Sequence, residues 1–478
     1  MRCDKKRTFI INRNTFSNNS TYGWYSVLHP VHAIVFAFFS KNEEFNVVIS
    51  KIAEFLSKTS EEVEKLITPF INNPEDVYVE HQGIRFEIPR NVLIESEENI
   101  KYHREYEIDD FIYEEDDFHT KRYFKAPLNM TFMPNNACVT NCIYCYCDKD
   151  HKVEKLLPYE RLIEIMDEAK KLEMLNFGVV GGEVFTYPHW RELLKAIKDR
   201  DFELSMISTK VPITIDDIKY LKSLGIKSIQ ISIDSLVFEE MKILLNIKET
   251  YFTKIQETVK NLCKEGFNVQ IATILTKYNT SKESMDSILK LINETGASSW
   301  SISPGFESLY RPQQSFRTDK DSYYQLFEYI ESLKEKCNAN INISKTFIER
   351  GYNEIEGGSQ QFEGATCSAL CSHIFVLPDG KVTMCEQLYW KPHFIVGDLT
   401  TQSITDVWNG ERAKWFLNLK PEQLQPDNPC RKCDIFEKCY NNMNRCWADV
   451  VKAYGIENWD FPDPRCNLAP KMFNNLNY

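Results

Sequence analysis

Asn129-Met-Thr-Phe-Met133-Pro-Asn-Asn-Ala-Cys138-Val-Thr-Asn-Cys142-Ile-Tyr-Cys145 decides how the rest of the chain is read. A strand candidate, Asn129 to Met133, runs into a loop whose three cysteines are spaced CxxxCxxC. Three thiolates on one loop can hold three irons of a 4Fe-4S cube and leave the fourth iron open, a place for substrate chemistry. The same thiols would also suit a zinc ion, with Cys147 or His151 as fourth ligand.

Outward from this loop, residues 128–336 alternate strand and helix patterns. Strand candidates are Asn129 to Met133, Asn176 to Val180, Phe202 to Ile207, Ser228 to Ile233, Val269 to Leu275 and Trp300 to Ser303. Helical stretches between them include Tyr159 to Leu172, Ile215 to Leu224, Phe252 to Cys263 and Ser284 to Ile292. Such alternation predicts an α/β fold with a parallel sheet under helices. Six βα units suit a partial (β/α)6 barrel with its reaction centre at the C-terminal strand ends. An open doubly wound sheet gives the same pattern.

The cysteine loop resembles that of the radical SAM superfamily, whose members bind S-adenosylmethionine at the open iron. Tyr144 stands at the aromatic position that in the family lies by the adenine. Gly181-Gly182-Glu183, directly after the second strand candidate, resembles the GGE motif that meets the cofactor's amino group. An ammonium needs a carboxylate and closely approaching backbone, which Glu183 behind two glycines offers. Ser208-Thr209 and Ser232-Ile-Asp234 resemble the family's ribose and carboxylate contacts, although Lys210 stands where a small turn residue is commoner. The resemblance implies reductive cleavage of the cofactor to methionine and a 5′-deoxyadenosyl radical that abstracts a substrate hydrogen. It also implies an electron donor such as flavodoxin or ferredoxin.

Beyond a connector at residues 337–365, residues 366–478 carry eight cysteines among short polar turns and little apolar periodicity, a segment in need of metal staples. Cys367, Cys371, the run Gly380-Lys-Val-Thr-Met-Cys385, then Cys430, Cys433, Cys439, Cys446 and Cys466 resemble the SPASM extension of radical SAM peptide-modifying enzymes. That extension carries two auxiliary 4Fe-4S clusters, making three in all. By the family's interleaved pattern Cys367, Cys371, Cys385 and Cys446 would hold the nearer cluster, and Cys430, Cys433, Cys439 and Cys466 the farther one. Six residues separate Cys439 from Cys446 where the family usually has three. Without Cys446 the nearer cluster would keep an open iron for a substrate thiolate. A zinc ribbon of Cys430, Cys433, Cys439 and Cys446 is the alternative. Glu386 stands where sulfatase-maturing relatives use an acidic base; an exposed turn glutamate is the other reading.

Residues 1–94 read as a winged-helix-like module. Phe9 to Phe16 alternates weakly, Pro30 to Phe39 and Val47 to Leu56 are helix candidates, and Thr59 with Glu62 forms a capping box for a helix over Ser60 to Thr68. Val63, Leu66 and Ile67 are its expected buried stripe. Val77 to Glu80 and Arg85 to Ile88 form a hairpin candidate. Residues 95–118, with eleven acidic residues against Lys101 and Arg104, read as a solvated linker before a barrel at 119–336.

Across 478 residues, 57 basic and 69 acidic side chains give a net charge of −12, which repels nucleic acid. The longest apolar run, residues 33–39, is far too short for a membrane span, and no secretory signal opens the chain. Fifteen cysteines in such a chain point to metal ligands in a reducing, cytoplasmic setting rather than to disulfides. A winged module, a barrel and SPASM together resemble maturases of ribosomally made peptides, in which the front module pairs an edge strand with the precursor's leader. The expected product is a crosslink: a thioether, or a carbon–carbon or carbon–oxygen bond between side chains. An auxiliary cluster would accept the electron released as the bond forms. Competing readings are peptide epimerisation, sulfatase-maturase-like oxidation of a protein Cys or Ser, a small-molecule radical SAM reaction, and a non-enzymatic iron–sulfur or zinc protein.

Overall fold

The chain divides after its acidic segment into two units, Met1–Lys125 and Ala126–Tyr478. The computed structural model describes residues 1–3, 7–12, 24–41, 43–81, 83–95, 105–112, 125–202, 204, 206–306, 308–311, 316–343, 352–355, 359–362, 367–441, 445–474 and 476.

In the first unit, β1 (Arg2–Cys3), β2 (Thr8–Asn12) and β3 (Trp24–Leu28) form an antiparallel sheet. Then come α1 (Pro30–Ala37), α2 (Phe45–Leu56), α3 (Ser60–Ile67) and the hairpin β4 (Val77–His81) to β5 (Ile84–Ile88). The His29 side chain accepts from the Val31 N–H at 3.2 Å and caps α1, while Thr59 and Glu62 close a reciprocal capping box at α3. Val63 and Ile67 pack on Val48, Ile49 and Ile52 of α2. Leu66, expected in that stripe, is 50% exposed, because α3 meets its neighbour along the narrower Val63–Ile67 line. Tyr106 and Phe111 bury their rings with Ile10, Leu28, Ala33 and Ile88, so part of the acidic segment belongs to this core rather than to solvent.

The second unit opens with β6 (Asn129–Phe132), α4 (Tyr159–Lys171), β7 (Asn176–Val179), α5 (Trp190–Asp199) and β8 (Ile207–Thr209). It continues through α6 (Ile215–Ser223), β9 (Ser228–Ser232), α7 (Phe238–Leu245), α8 (Glu249–Lys264), β10 (Asn268–Leu275), α9 (Lys282–Thr295), β11 (Ser299–Pro304), α10 (Lys320–Leu333) and β12 (Asn340–Ile343). β8 to β12 are parallel neighbours in chain order, and β6 pairs parallel with β7. The third strand starts later than its sequence suggests: the Phe202 N–H bonds the Ile197 carbonyl in the turn that ends α5, and its ring packs on Phe177. β12 adds a seventh parallel strand inside the expected connector. Ile341 and Ile343 turn inward there while Asn340 and Asn342 face out.

A small hairpin of β13 (Tyr352–Ile355) and β14 (Ser359–Phe362) precedes the cysteine-rich segment. That segment contributes β15 (His373–Val376), β16 (Lys381–Thr383), β17 (Ile395–Asp398), α11 (Ile404–Asn409), α12 (Glu411–Leu417), α13 (Phe436–Asn441) and α14 (Trp447–Tyr454). β15 pairs parallel with β6, His373 opposite Asn129, so five strands run in the order β17-β16-β15-β6-β7. Arg161 of α4 reinforces the seam by donating to the Leu399 and Gln402 carbonyls, both at 2.9 Å. The C-terminal segment is thus sewn onto the strand that launches the first cysteine loop.

Candidate active site

The loop after β6 is pinned by backbone and arginine. The Asn141 and Ile143 N–H groups donate to the Leu245 and Leu244 carbonyls at the end of α7, each at 2.9 Å. Arg311 donates to the Cys142 carbonyl at 2.7 Å and to Asn141 Oδ1 at 2.6 Å. The Thr140 hydroxyl lies 3.4 Å from Cys138 Sγ and 3.3 Å from Cys142 Sγ, holding both sulfurs on one side of the loop. Burial pushes the Cys142 and Cys145 thiols up, so they ionise only against a strong local positive charge, as bound iron provides. Among the described residues, no three His, Cys, Asp or Glu side chains converge on one metal ion. A cube would take each of the three thiolates on a different iron.

Gly181 and Gly182 turn the chain with φ of 81° and 49°. A Cβ at Gly182 would stand 2.4 Å from the Asn135 carbonyl oxygen, so only glycine lets this turn press on the segment entering the cysteine loop. Glu183 follows, 4% exposed. Its carboxylate accepts from Thr209 Oγ1 at 2.8 Å, the Lys210 N–H at 3.1 Å and the Phe185 N–H at 3.3 Å. Burial holds the carboxyl above its ordinary range, while the Lys210 and Thr209 donors oppose that rise.

Asp234, just past β9, is fully buried. It accepts from Lys210 Nζ at 3.0 Å, from the Ile274 N–H at 2.9 Å and from the Tyr144 hydroxyl. The side chains expected at the cofactor therefore meet one another: Tyr144 reaches Asp234, and Lys210 bridges Asp234 to Glu183. Lys210, which stands where a small turn residue is commoner, reaches Asp234 through its side chain and Glu183 through its backbone N–H. Ser208, exposed, accepts from Gln230 Nε2 at 2.7 Å, and half-buried Ser232 ends β9.

The environments of the later cysteines overlap, with Arg445 acting on both Tyr440 and Cys430. Burial is the main influence on the Cys385, Cys430, Cys446 and Cys466 thiols and on the Tyr440 hydroxyl. After it, Cys385 feels Glu386 and Cys367, Cys446 feels Asp449 and Cys385, and the Tyr440 hydroxyl is close to Cys371 and Cys367. Cys466 feels Cys439 and Cys433, and Cys430 feels Arg445, Cys466 and Cys433. The Cys446 N–H donates to Asp463 Oδ2 at 2.9 Å, and Arg465 binds the same carboxylate at 2.5 and 2.6 Å. Residues 442–444, in the unusual gap before Cys446, lie outside the described residues.

Glu386 is half-buried, and burial raises its carboxyl above the ordinary range. The Tyr146 hydroxyl, one residue past Cys145, is pushed up first by the Glu386 charge and then by burial. Tyr389 packs between Tyr146 and Tyr310, with centroids 6.5 and 5.4 Å away. The two cysteine regions thus share one aromatic-lined wall. Cys147, 4% exposed, packs behind it with Met133 and Tyr389.

Residues 132–292 match the Radical SAM superfamily, and residues 367–434 match SPASM, an iron–sulfur cluster-binding domain. A tungsten-containing aldehyde ferredoxin oxidoreductase cofactor-modifying protein of Pyrococcus furiosus is 21% identical over 69% of this chain and 91% of its own. The PqqA peptide cyclase of Granulibacter bethesdensis is 21% identical over 72% of this chain and 88% of its own. In fold, the chain is similar to Streptococcus suis SuiB, with a TM-score of 0.64 at 14% identity over 98% of both chains, and to SuiB bound to its precursor peptide SuiA, with a TM-score of 0.61. No described helix is long and apolar enough to cross a membrane. With both domains matched in order and the cysteine loop, GGE turn and paired carboxylates gathered at the strand ends, the chain is an enzyme of the radical SAM superfamily that carries a SPASM domain.

Proposed function

We propose that this enzyme removes a hydrogen atom from a ribosomally made precursor peptide and installs a crosslink in it. The observation that carries the reading is the aromatic wall in which Tyr146, beside the first cysteine loop, packs on Tyr389, four residues past Cys385. That packing supports a reading in which the second cysteine region lies beside the place where hydrogen would be abstracted. Support also comes from relatives that act on peptides, the PqqA peptide cyclase and SuiB with its precursor SuiA.

Cys138, Cys142 and Cys145 would hold the first cluster, and Glu183 would contribute to holding the cofactor. The chemistry that cluster and S-adenosylmethionine supply, when bound, is removal of a hydrogen atom from the substrate. Glu183 would hold the cofactor's ammonium group, and the tight Gly181-Gly182 turn lets the backbone press on the segment entering the cysteine loop. Lys210 and Asp234 keep the neighbouring polar wall charge-balanced. Forming a crosslink then releases a proton and an electron. Glu386, its proton affinity raised by burial, accepts the proton. Cys367, Cys371, Cys385 and Cys446 would hold the nearer auxiliary cluster, which supplies an acceptor for the electron, and the other four cysteines the farther one. The first unit would bind the leader, which would pair as an added strand along a sheet edge.

The test is anaerobic incubation of the iron-loaded protein with S-adenosylmethionine, dithionite and a peptide encoded by a short neighbouring reading frame. Methionine, deoxyadenosine and a peptide lighter by two hydrogens should appear together. A product of unchanged mass would mean epimerisation. Full activity after removal of residues 1–94 would point to a sulfatase-maturase-like enzyme instead.

A further inference from the structure

Arg445 is 7% exposed, and no carboxylate among the described residues pairs with its guanidinium. One nitrogen donates to the Asp460 carbonyl at 3.0 Å and another to Cys430 Sγ at 3.4 Å. The faces of Trp447 and Tyr440 lie 5.1 and 6.0 Å from the guanidinium carbon. The nearest acids are engaged elsewhere: Asp460 accepts from Gln425 at 2.7 and 2.8 Å, and Asp463 is bound by Arg465. An arginine cannot shed its proton, and a buried charge without a counter-ion is expensive. The sulfur it touches is that of Cys430, one of the group read as Cys430, Cys433, Cys439 and Cys466.

We propose that Arg445 is a positioning residue that sets the reduction potential of the farther auxiliary cluster. This rests on the reading of those four cysteines as cluster ligands. Four thiolates outweigh the positive charge of a cube, and reduction adds another negative charge. A guanidinium hydrogen-bonded to a ligand sulfur therefore favours the reduced form and raises the potential. Arg445 also immediately precedes Cys446, a ligand assigned to the nearer cluster. It thus adjoins one cluster through the chain and touches the other through its side chain. Electrons leaving the substrate are drawn outward toward the site that carries the cation.

Wild-type protein, Arg445→Met and Arg445→Lys, each anaerobically loaded with iron and sulfide, are compared by metal analysis and by redox titration followed by electron paramagnetic resonance. Wild type should hold about 12 irons, the complement of three cubes. In Arg445→Met one auxiliary signal should shift by about tenfold in its one-electron equilibrium, about 59 mV more negative. The other two clusters should stay put, and Arg445→Lys, which keeps the charge, should lie between. Should the methionine variant alone lose about four irons, the lysine variant's retained cluster supports the same role. Unchanged potentials in both fully loaded variants, or loss of the cluster from both, overturn the assignment. Wild type with zinc or about eight irons overturns the four-cysteine reading itself, and the assignment with it.

Discussion

Gly182 leaves no room for any side chain. In Gly182→Ala the new Cβ meets the Asn135 carbonyl at 2.4 Å and the backbone must keep a φ of 49°, so the turn moves away from the cysteine loop. We expect affinity for S-adenosylmethionine to fall by at least about tenfold, with iron content unchanged, as read by calorimetry. Asp234→Ala acts on stability, because it strands the buried Lys210 ammonium. A loss of about 3 kcal/mol in urea unfolding is expected, against little change for an exposed pair such as Lys195–Asp199. Cys142→Ala should abolish formation of methionine and deoxyadenosine under dithionite. At this scale much was legible. The cysteine spacing and the GGE turn are local and carry their chemistry in their residue types. Lys210 and Arg445 were not legible as partners, since Asp234 lies 24 residues from one and Cys430 lies 15 residues from the other. Only the fold brings such pairs together.

Elements were readable wherever apolar periodicity was strong. The strands at Asn268–Leu275 and Ser299–Pro304 and the helix Tyr159–Lys171 fall within a residue or so of their sequence limits. The failures have physical causes. Leu66 has the right spacing but lies at the margin of a narrow contact, and β12 is short enough for two inward isoleucines to look like a connector. Nothing local announces that β15 pairs with β6, because parallel register is set between segments far apart in sequence. That pairing makes its own prediction. A chain ended at residue 366 would leave β6 with an uncovered apolar edge and should aggregate in light scattering, whereas the full chain stays dispersed.

Across the molecule, acid sensitivity follows from buried imidazoles in both units. His32 is pulled down to about 4 by burial, then by His29 and His81. Burial alone does the same to His373, and burial with the Arg412 charge to His393. Each is neutral in the fold yet takes up a proton near pH 6.5 when unfolded. The unfolded state therefore binds more protons below that pH. The stability is present above about pH 6.5 and is lost as pH falls toward about 4. Thermal midpoints should drop between pH 7 and pH 5, and His32→Leu should flatten the drop.

The seam between β6 and β15 also governs how such a protein is born. Thr131 and His373, which share a 2.8 Å hydrogen bond across it, are separated by 242 positions. A ribosome has released the first cysteine loop long before it makes the strand that will flank it. Closure of that sheet waits for translation to pass residue 376, and contacts of such long sequence separation form slowly. During that interval the nascent loop is open to scaffold proteins that deliver iron, and equally to oxygen.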